Sequence, residues 1–380
     1  MTEVPTVGVE EEYFLVEPGS GRIVDAAARV LARARAEADA GPGSDPGEAL
    51  TGEFTRCQIE SRTAPCTTTA GLRAELLAVR RAAARAAHAE GLRLCASGTP
   101  VLGGTEPAAV ADHERYRAGL AQYRSMMDDF AVCAQHVHVH CPDREHAVLV
   151  GNHLRPVLPV LIALGANSPF HAGLDTGYAS WRSVIRQRFP CLGPPPYARS
   201  LDESVRRAEA IAATEAMLAP AMPFWDVRPN PRLPTVEVRC PDVCADLETA
   251  VCLAALVRAL VTDALRAVTR GDPGPRVGAE ELRAACWKAA RDGVTGDALD
   301  LATGRLVPFA EHVRALLARL REPLEAAGDR ETVEAGVRRL LAGGTGAGAQ
   351  RAAAREGGLP GVVGRLAAAT EVSPLPTRPA

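Results

Sequence analysis

The chain of 380 residues is 47% hydrophobic and 23% charged, which excludes wholesale disorder and allows a large core. Its formal net charge of −3 supplies no broad basic field for a nucleic-acid backbone or an anionic membrane, so a small-molecule partner is expected. The start MTEVPTVGVEEEYF lacks the basic residues and apolar run of a secretory signal, and the ten cysteines form no CxxC pair. These features predict a cytoplasmic protein whose thiols are buried, unpaired by disulfides and not metal ligands.

In chain order, TVGVEEEYFLVEP (6–18) reads as a β-strand, followed by helical Ala/Leu/Arg patterns over 25–39 and 70–90, the second stopping at Gly91. Further strands are expected at 92–98, 132–141, 224–229 and 234–240, with helices near 113–129, 145–165, 179–189, 201–217, 246–268 and 279–291. The apolar stretches VLPVLIALGAN and AVCLAALVRALVTDAL are too short, or are broken by Arg258 and Asp263, to span a membrane and read as buried helices. Strands that alternate polar and apolar residues have one polar face, which parallel sheets rarely allow, so the fold class is α+β: a largely antiparallel sheet with helices packed behind it. From about residue 343 the chain becomes Ala/Gly/Pro-rich, a last weak helix and then a disordered tail to 380; its glycines lack the Gly-Lys-Ser/Thr ending of a phosphate loop.

Side chains alternate across a strand, so Glu10 and Glu12 share one face while Val9, Glu11 and Tyr13 share the other. Two carboxylates so close repel unless a cation neutralises them, as hard divalent ions do. Alone, such an acidic run is ordinarily a solvated strand face. Matching groups recur, however. Glu53 and Glu60 lie in GEFTRCQIESRT, and VCAQHVHVHC places His136, His138 and His140 on one strand face. PTVEVRC puts Glu237 and Arg239 on one face; they either pair at a surface or divide the work of holding a metal and binding a phosphate. The glycine-punctuated loop NSPFHAGLDTGYASWRSVIR carries Ser168, Asp175, Ser180, Arg182 and Arg186 into a helix, a form suited to anionic ligands. Carboxylates, imidazoles and arginines on several segments make a consistent set for metal-assisted phosphoryl transfer. A zinc hydrolase on the His-x-His strand, or a catalytically silent nucleotide- or metal-binding protein, are the alternatives; the hydrolase leaves Glu10, Glu12 and Arg239 without a task.

In order and spacing, GVEEEYFLVEP, EFTRCQIE, HVHV, NSPF with GLDTGYASWR, NPRLPTVEVRCPD and WKAARDG (287–293) resemble the YbdK-type carboxylate-amine ligases, also called glutamate–cysteine ligase type 2, over about residues 6–320. The resemblance implies one glutamine synthetase-like ligase domain over 1–342, with a cupped antiparallel sheet as the floor for ATP and two or three Mg2+ ions, Mn2+ being an alternative ion. It implies Glu10, Glu12, Glu53, Glu60, His136 and Glu237 as metal ligands. His138, Ser168, Arg182 and Arg239 would bind ATP, with Arg182 and Arg239 also catalytic. The implied reaction is ATP-dependent joining of a glutamate-like carboxylate to a cysteine-like amine through an acyl phosphate, with a mobile loop around 166–182 excluding water, and without nucleic-acid or membrane partners. Assembly into a homo-oligomer is left open. One departure stands out: His140 occupies the position where the family usually has glycine, which bears on substrate choice.

Overall fold

The computed structural model describes residues 4–39, 49–104, 106–107, 109–219, 221 and 223–371. Its centre is a seven-stranded antiparallel sheet built from β1 (Val7–Val16), β2 (Leu50–Gly52), β3 (Gln58–Arg62), β4 (Arg93–Cys95), β5 (Gln135–His140), β6 (Val227–Pro229) and β7 (Thr235–Val238). The strands lie in the order β6-β7-β5-β1-β3-β2, with β4 pairing the end of β1. The expected α+β architecture is therefore the one observed.

Register fixes the two faces. Glu10 stands opposite both Arg62 and His136, Glu12 opposite Glu60, and His138 opposite Glu237. A one-residue slip would turn these groups into the core, so the buried valines on the reverse face pin the pairing. That reverse face presents Val7, Val9, Val137, Val139, Val236 and Val238 to a helical layer. Its centre is α8 (Leu247–Thr269), buried from Leu247 through Ala264 except at Glu248 and Asp263 and apolar on nearly every side, as a helix inside a core must be. Asp246 caps α8, its carboxylate accepting from Thr249 N at 2.9 Å. Behind the β1 end, Tyr13, Leu15, Ile59 and Leu94 pack with α1 (Ala27–Asp39), α2 (Thr69–Ala89) and the last helix.

The remaining helices are α3 (Glu114–Tyr123), α4 (Arg144–Leu154), α5 (Leu158–Leu164), α6 (Trp181–Gln187), α7 (Leu201–Ala212), α9 (Ala279–Asp292), α10 (Phe309–Arg319), α11 (Arg321–Ala327), α12 (Arg330–Gly343) and α13 (Gly346–Glu371). The single helix expected over 145–165 is α4, a 3-10 turn at Arg155–Val157 and α5, because prolines at 156 and 159 interrupt the hydrogen-bond ladder. The span Arg144–Leu164 is long and apolar enough to cross a membrane by composition, yet it is mostly buried inside the protein.

The expected tail needs correction. Residues 346–371 are helical, with a break at Gly357–Gly358 where Gly358 takes φ +62, and residues 372–380 lie outside the described residues. The helix is anchored at its end: Glu371 accepts from Arg93 and from Leu94 N, and Thr370 Oγ1 accepts from Ala96 N at 2.9 Å. Low-complexity composition hid these contacts, since small residues are what let α13 lie close to β4. All ten cysteines are buried free thiols, as expected.

Candidate active site

The polar face of the sheet floors a cavity of about 550 Å3. Alternation in β1 aims Glu10 and Glu12 into it, β3 contributes Glu60 and Arg62, β5 contributes His136, and β7 contributes Glu237, with Arg239 just past its end; His138 stands beside Glu10 at the margin of this floor. Glu53 enters from the loop between β2 and β3. Ligand atoms of three overlapping groups lie within 4.8 Å of one another: Glu10, Glu60 and His136; Glu10, His138 and Glu237; and Glu12, Glu53 and Glu60. All six expected metal ligands are thus brought together. His138, expected at the nucleotide, groups instead with Glu10 and Glu237.

Contacts within the floor are close. His136 Nδ1 lies 3.3 Å and His138 Nε2 3.4 Å from Glu10 Oε2, while His136 Nε2 is 3.6 Å from Glu12 Oε1. Ala134 N donates to Glu12 at 2.7 Å, and Arg62 lies 2.6 Å from Glu60. Glu237 is gripped by Arg239, by both Arg228 nitrogens at 3.0 and 3.1 Å, and by Asn230 Nδ2 at 3.0 Å.

Cations do not balance every carboxylate. Burial, then the Glu53 charge, pushes Glu12 up to about 8. Glu60 is driven well above the usual range by burial and then by Glu10 and Glu53; Glu53 is raised as well, chiefly by burial. Burial acts the same way on Glu10 and Glu237, but His136 and His138 in one case, and Arg239 and Arg228 in the other, outweigh it and hold both carboxyls far below the usual range. Burial and the facing Arg239 press His136 down to about 3, so its imidazole is neutral at pH 7 and keeps a lone pair to offer. A cluster of carboxylates too crowded for all of its members to stay ionised, with a neutral imidazole beside it, fits hard divalent cations, which would replace the protons. Five glutamates and two histidines make the set oxygen-dominated. That departs from the nitrogen- and sulfur-rich ligation of zinc, against the hydrolase alternative.

Two arginines present unsatisfied donors: Arg182 Nε and Arg239 Nε are buried without a hydrogen-bond partner. The rest of the Arg182 guanidinium donates to the carbonyls of Arg239, Cys240 and Pro241, each at 3.1 Å, so this side chain braces the segment that carries Arg239. Burial, then the neighbouring Arg186, lowers Arg182 to about 10, still cationic at pH 7.

Two expectations fail here. Ser168 is fully buried and does not line the cavity; its hydroxyl donates to Asp242 Oδ2 at 2.7 Å and accepts from Arg182 N. The small polar residue of NSPF serves Asp242, a carboxylate that also accepts from Asn167 N and Ser180 Oγ. The loop 166–182 is not a free lid: it is tied to α13 by Gln350 to Asn167 and by Arg351 to Asp175 and the Tyr178 carbonyl. Glu11, for which a solvent-facing place or a salt bridge was open, takes the salt bridge: it is wholly buried and paired with Arg80. His140 is exposed at the strand end opposite Thr235, outside the cavity.

Sequence reasoning passed over Arg62 and Arg228, although each sits at the alternation distance that marks a cross-strand partner of a carboxylate. It also missed the aromatic side chains of the cavity's other end, which are too far apart in sequence to form a motif.

Comparison with known proteins agrees with this geometry. The model of the glutamate-cysteine ligase family 2 matches residues 6–365. A protein of Saccharopolyspora erythraea provisionally named glutamate–cysteine ligase 2-2 is 43% identical over 365 residues, covering 96% of this chain and 92% of the relative. One of Mycolicibacterium vanbaalenii with the same provisional name is 44% identical over 355 residues, covering 93% and 94%. Among solved structures, the glutamate–cysteine ligase of Francisella tularensis in complex with AMP superposes with a TM-score of 0.70 at 12% identity, covering 99% of this chain and 90% of that one. A bifunctional glutathione synthetase of Pasteurella multocida gives 0.68 at 16% identity, covering 97% and 52%. At these identities the structural likenesses speak for the fold.

Proposed function

The chain belongs to the glutamate-cysteine ligase family 2, and from that premise we propose that it is an ATP-dependent ligase joining a glutamate-like carboxylate to an amine, a cysteine-like one in the simplest case. The observation that carries the reading is the triple acidic group on one sheet face, sharing Glu10 and Glu60, with the unsatisfied Arg239 Nε beside it. Glu10, Glu12, Glu53, Glu60, His136 and Glu237 would hold two or three Mg2+ ions, or Mn2+, with His138 able to join the Glu10–Glu237 group. Bound there, the ions supply charge neutralisation for the triphosphate. Arg239 directs its free donor at the transferred phosphoryl group, and Arg182 holds Arg239 in place from behind. The substrate carboxylate attacks the terminal phosphorus to give an acyl phosphate and ADP. The amine nitrogen then forms a bond to the acyl carbon, the carbon–oxygen bond to phosphate breaks, phosphate leaves with the electron pair, and the amine releases a proton. The cavity walls limit water at that intermediate. A cytoplasmic setting suits the ten buried free thiols.

The test is to supply purified protein with Mg–ATP and a matrix of carboxylates and amines, following ADP and product mass. ADP release that requires both partners is expected. Turnover of ATP with no pair, together with zinc-dependent hydrolysis of an amide, would sink the reading.

A further inference from the structure

The cavity has a second end that the acidic floor does not explain. Six of the chain's seven phenylalanines and five tyrosines, taken together, line it: Phe54, Tyr116, Tyr123, Phe130, Phe189 and Phe224. Five of these rings, all but Phe224, meet edge to face in an unbroken series. Tyr116 to Phe54 is 5.1 Å between centroids, Phe54 to Phe130 6.2 Å, Phe130 to Phe189 4.8 Å and Phe189 to Tyr123 5.3 Å. Such contacts hold one another in place and make a wall of defined shape. Met127, Leu192 and Leu218 extend it. The wall adjoins the chemistry directly, because Phe54 follows Glu53 of the acidic group.

Of the polar side chains that line this end, Tyr123 and Gln58 are already committed, and the Arg115 guanidinium lies over the Phe224 ring, 5.2 Å from its centroid. Tyr123 donates its hydroxyl proton to the Ala216 carbonyl at 3.2 Å, and Gln58 donates to the Val132 carbonyl at 2.7 Å while accepting from Thr55 Oγ1. A purine placed here would leave ring nitrogens unpaired in apolar surroundings, a cost of about 1–3 kcal/mol for each group. A glutamate-like carboxylate, charged at both ends, is no better matched. Of the three reactants only the acceptor amine can bring an apolar body to this end while its nitrogen reaches the acyl carbon over the acidic floor.

We propose that the acceptor amine of this ligase carries an aryl or large branched apolar group, seated in the chamber walled by Phe54, Tyr116, Phe130 and Phe189. The proposal rests on the ligase reading and narrows it: a cysteine-sized side chain would leave most of this wall uncovered, and filling a fitted apolar pocket is worth about 10–200-fold in selectivity.

The experiment uses the full chain with Mg–ATP and L-glutamate, and compares L-alanine, L-cysteine, L-phenylalanine and 2-phenylethylamine as acceptors by ADP release and product mass. The phenyl-bearing acceptors should exceed L-alanine in kcat/KM by about tenfold or more. Phe130→Ala and Phe189→Ala should bring that ratio toward one, with the calorimetric affinity for Mg–ATP unchanged. Phenyl-bearing acceptors no better than L-alanine, with cysteine active, would overturn the proposal and leave the ligase reading standing. Loss of nucleotide affinity in either variant would also overturn it, by assigning the chamber to the base. If no acceptor supports ADP release, the ligase reading fails, and calorimetry with 2-phenylethylamine alone still decides the chamber: binding by the native protein that weakens in Phe130→Ala supports it, and no binding refutes it.

Discussion

The two faces of the central sheet solve the problem of a buried carboxylate in opposite ways. On the reverse face Glu11 is matched one to one: Arg80 donates to it at 2.5 and 2.8 Å, and its remaining donors go to the Cys244 and Ala245 carbonyls. Arg258 and Asp329 repeat that arrangement deeper in the helical layer, both fully buried. On the cavity face the carboxylates outnumber the arginines that reach them, and Glu12 and Glu60 are raised as a result. Neighbouring residues of one strand, identical in type, thus carry a complete ion pair on one side and an unfinished one on the other. An unfinished set is what a ligand completes.

The largest effect should fall on the finished pair. Glu11→Gln leaves Arg80 charged and unmatched in the core, and chemical denaturation should show a loss of about 3–5 kcal/mol. Replacing both partners by apolar residues of similar volume should restore most of it; a single variant as stable as the native chain would break the contrast between the faces. Glu10→Gln should act chiefly on turnover, lowering ADP release by about 10²–10³-fold while the protein still folds. A melting temperature that collapses together with activity would show that Glu10 is structural.

The pH response comes next. The Glu12 carboxyl stands at about 8 in the fold against an ordinary value of 4.5, so its proton stabilises the fold fully below pH 4.5, and that stabilisation is lost as pH rises toward 8. In EDTA the melting temperature should therefore fall by several degrees between about pH 5 and 8, and saturating Mg2+ should flatten the slope by taking the proton's place. A flat profile in EDTA would remove the charge imbalance from the account. The smallest effect belongs to the exposed pair Arg73 and Glu248, 2.6 Å apart but half in water. Arg73→Ala should cost no more than about 0.5 kcal/mol by the same denaturation assay.

The separation of Glu10 and Glu12 from Glu11 was legible in the sequence because period-two alternation is a local rule. What Glu11 pairs with was not, since Arg80 lies on a helix 69 positions away and reads as one more arginine in an Ala/Arg-rich run. The antiparallel sheet followed from strands with one polar face; β2 and β3 were missed, at three and five residues too short to show a pattern. The helices beyond residue 309 were not assigned either; of these only α13, rich in Ala and Gly, shows weak contrast between its faces. Ser168 was misjudged for a related reason: a short polar side chain in a loop looks available, and only the fold reveals that Asp242 has claimed it.

One consequence lies in how far along the chain the support of this loop is placed. The loop bearing Arg182 is fastened by Gln350 and Arg351, about 170 positions further along. The paired strands β1, β3, β5 and β7 of the acidic floor make their register without α13, so cutting that helix away strips the ties of the loop before it touches the floor's own pairing.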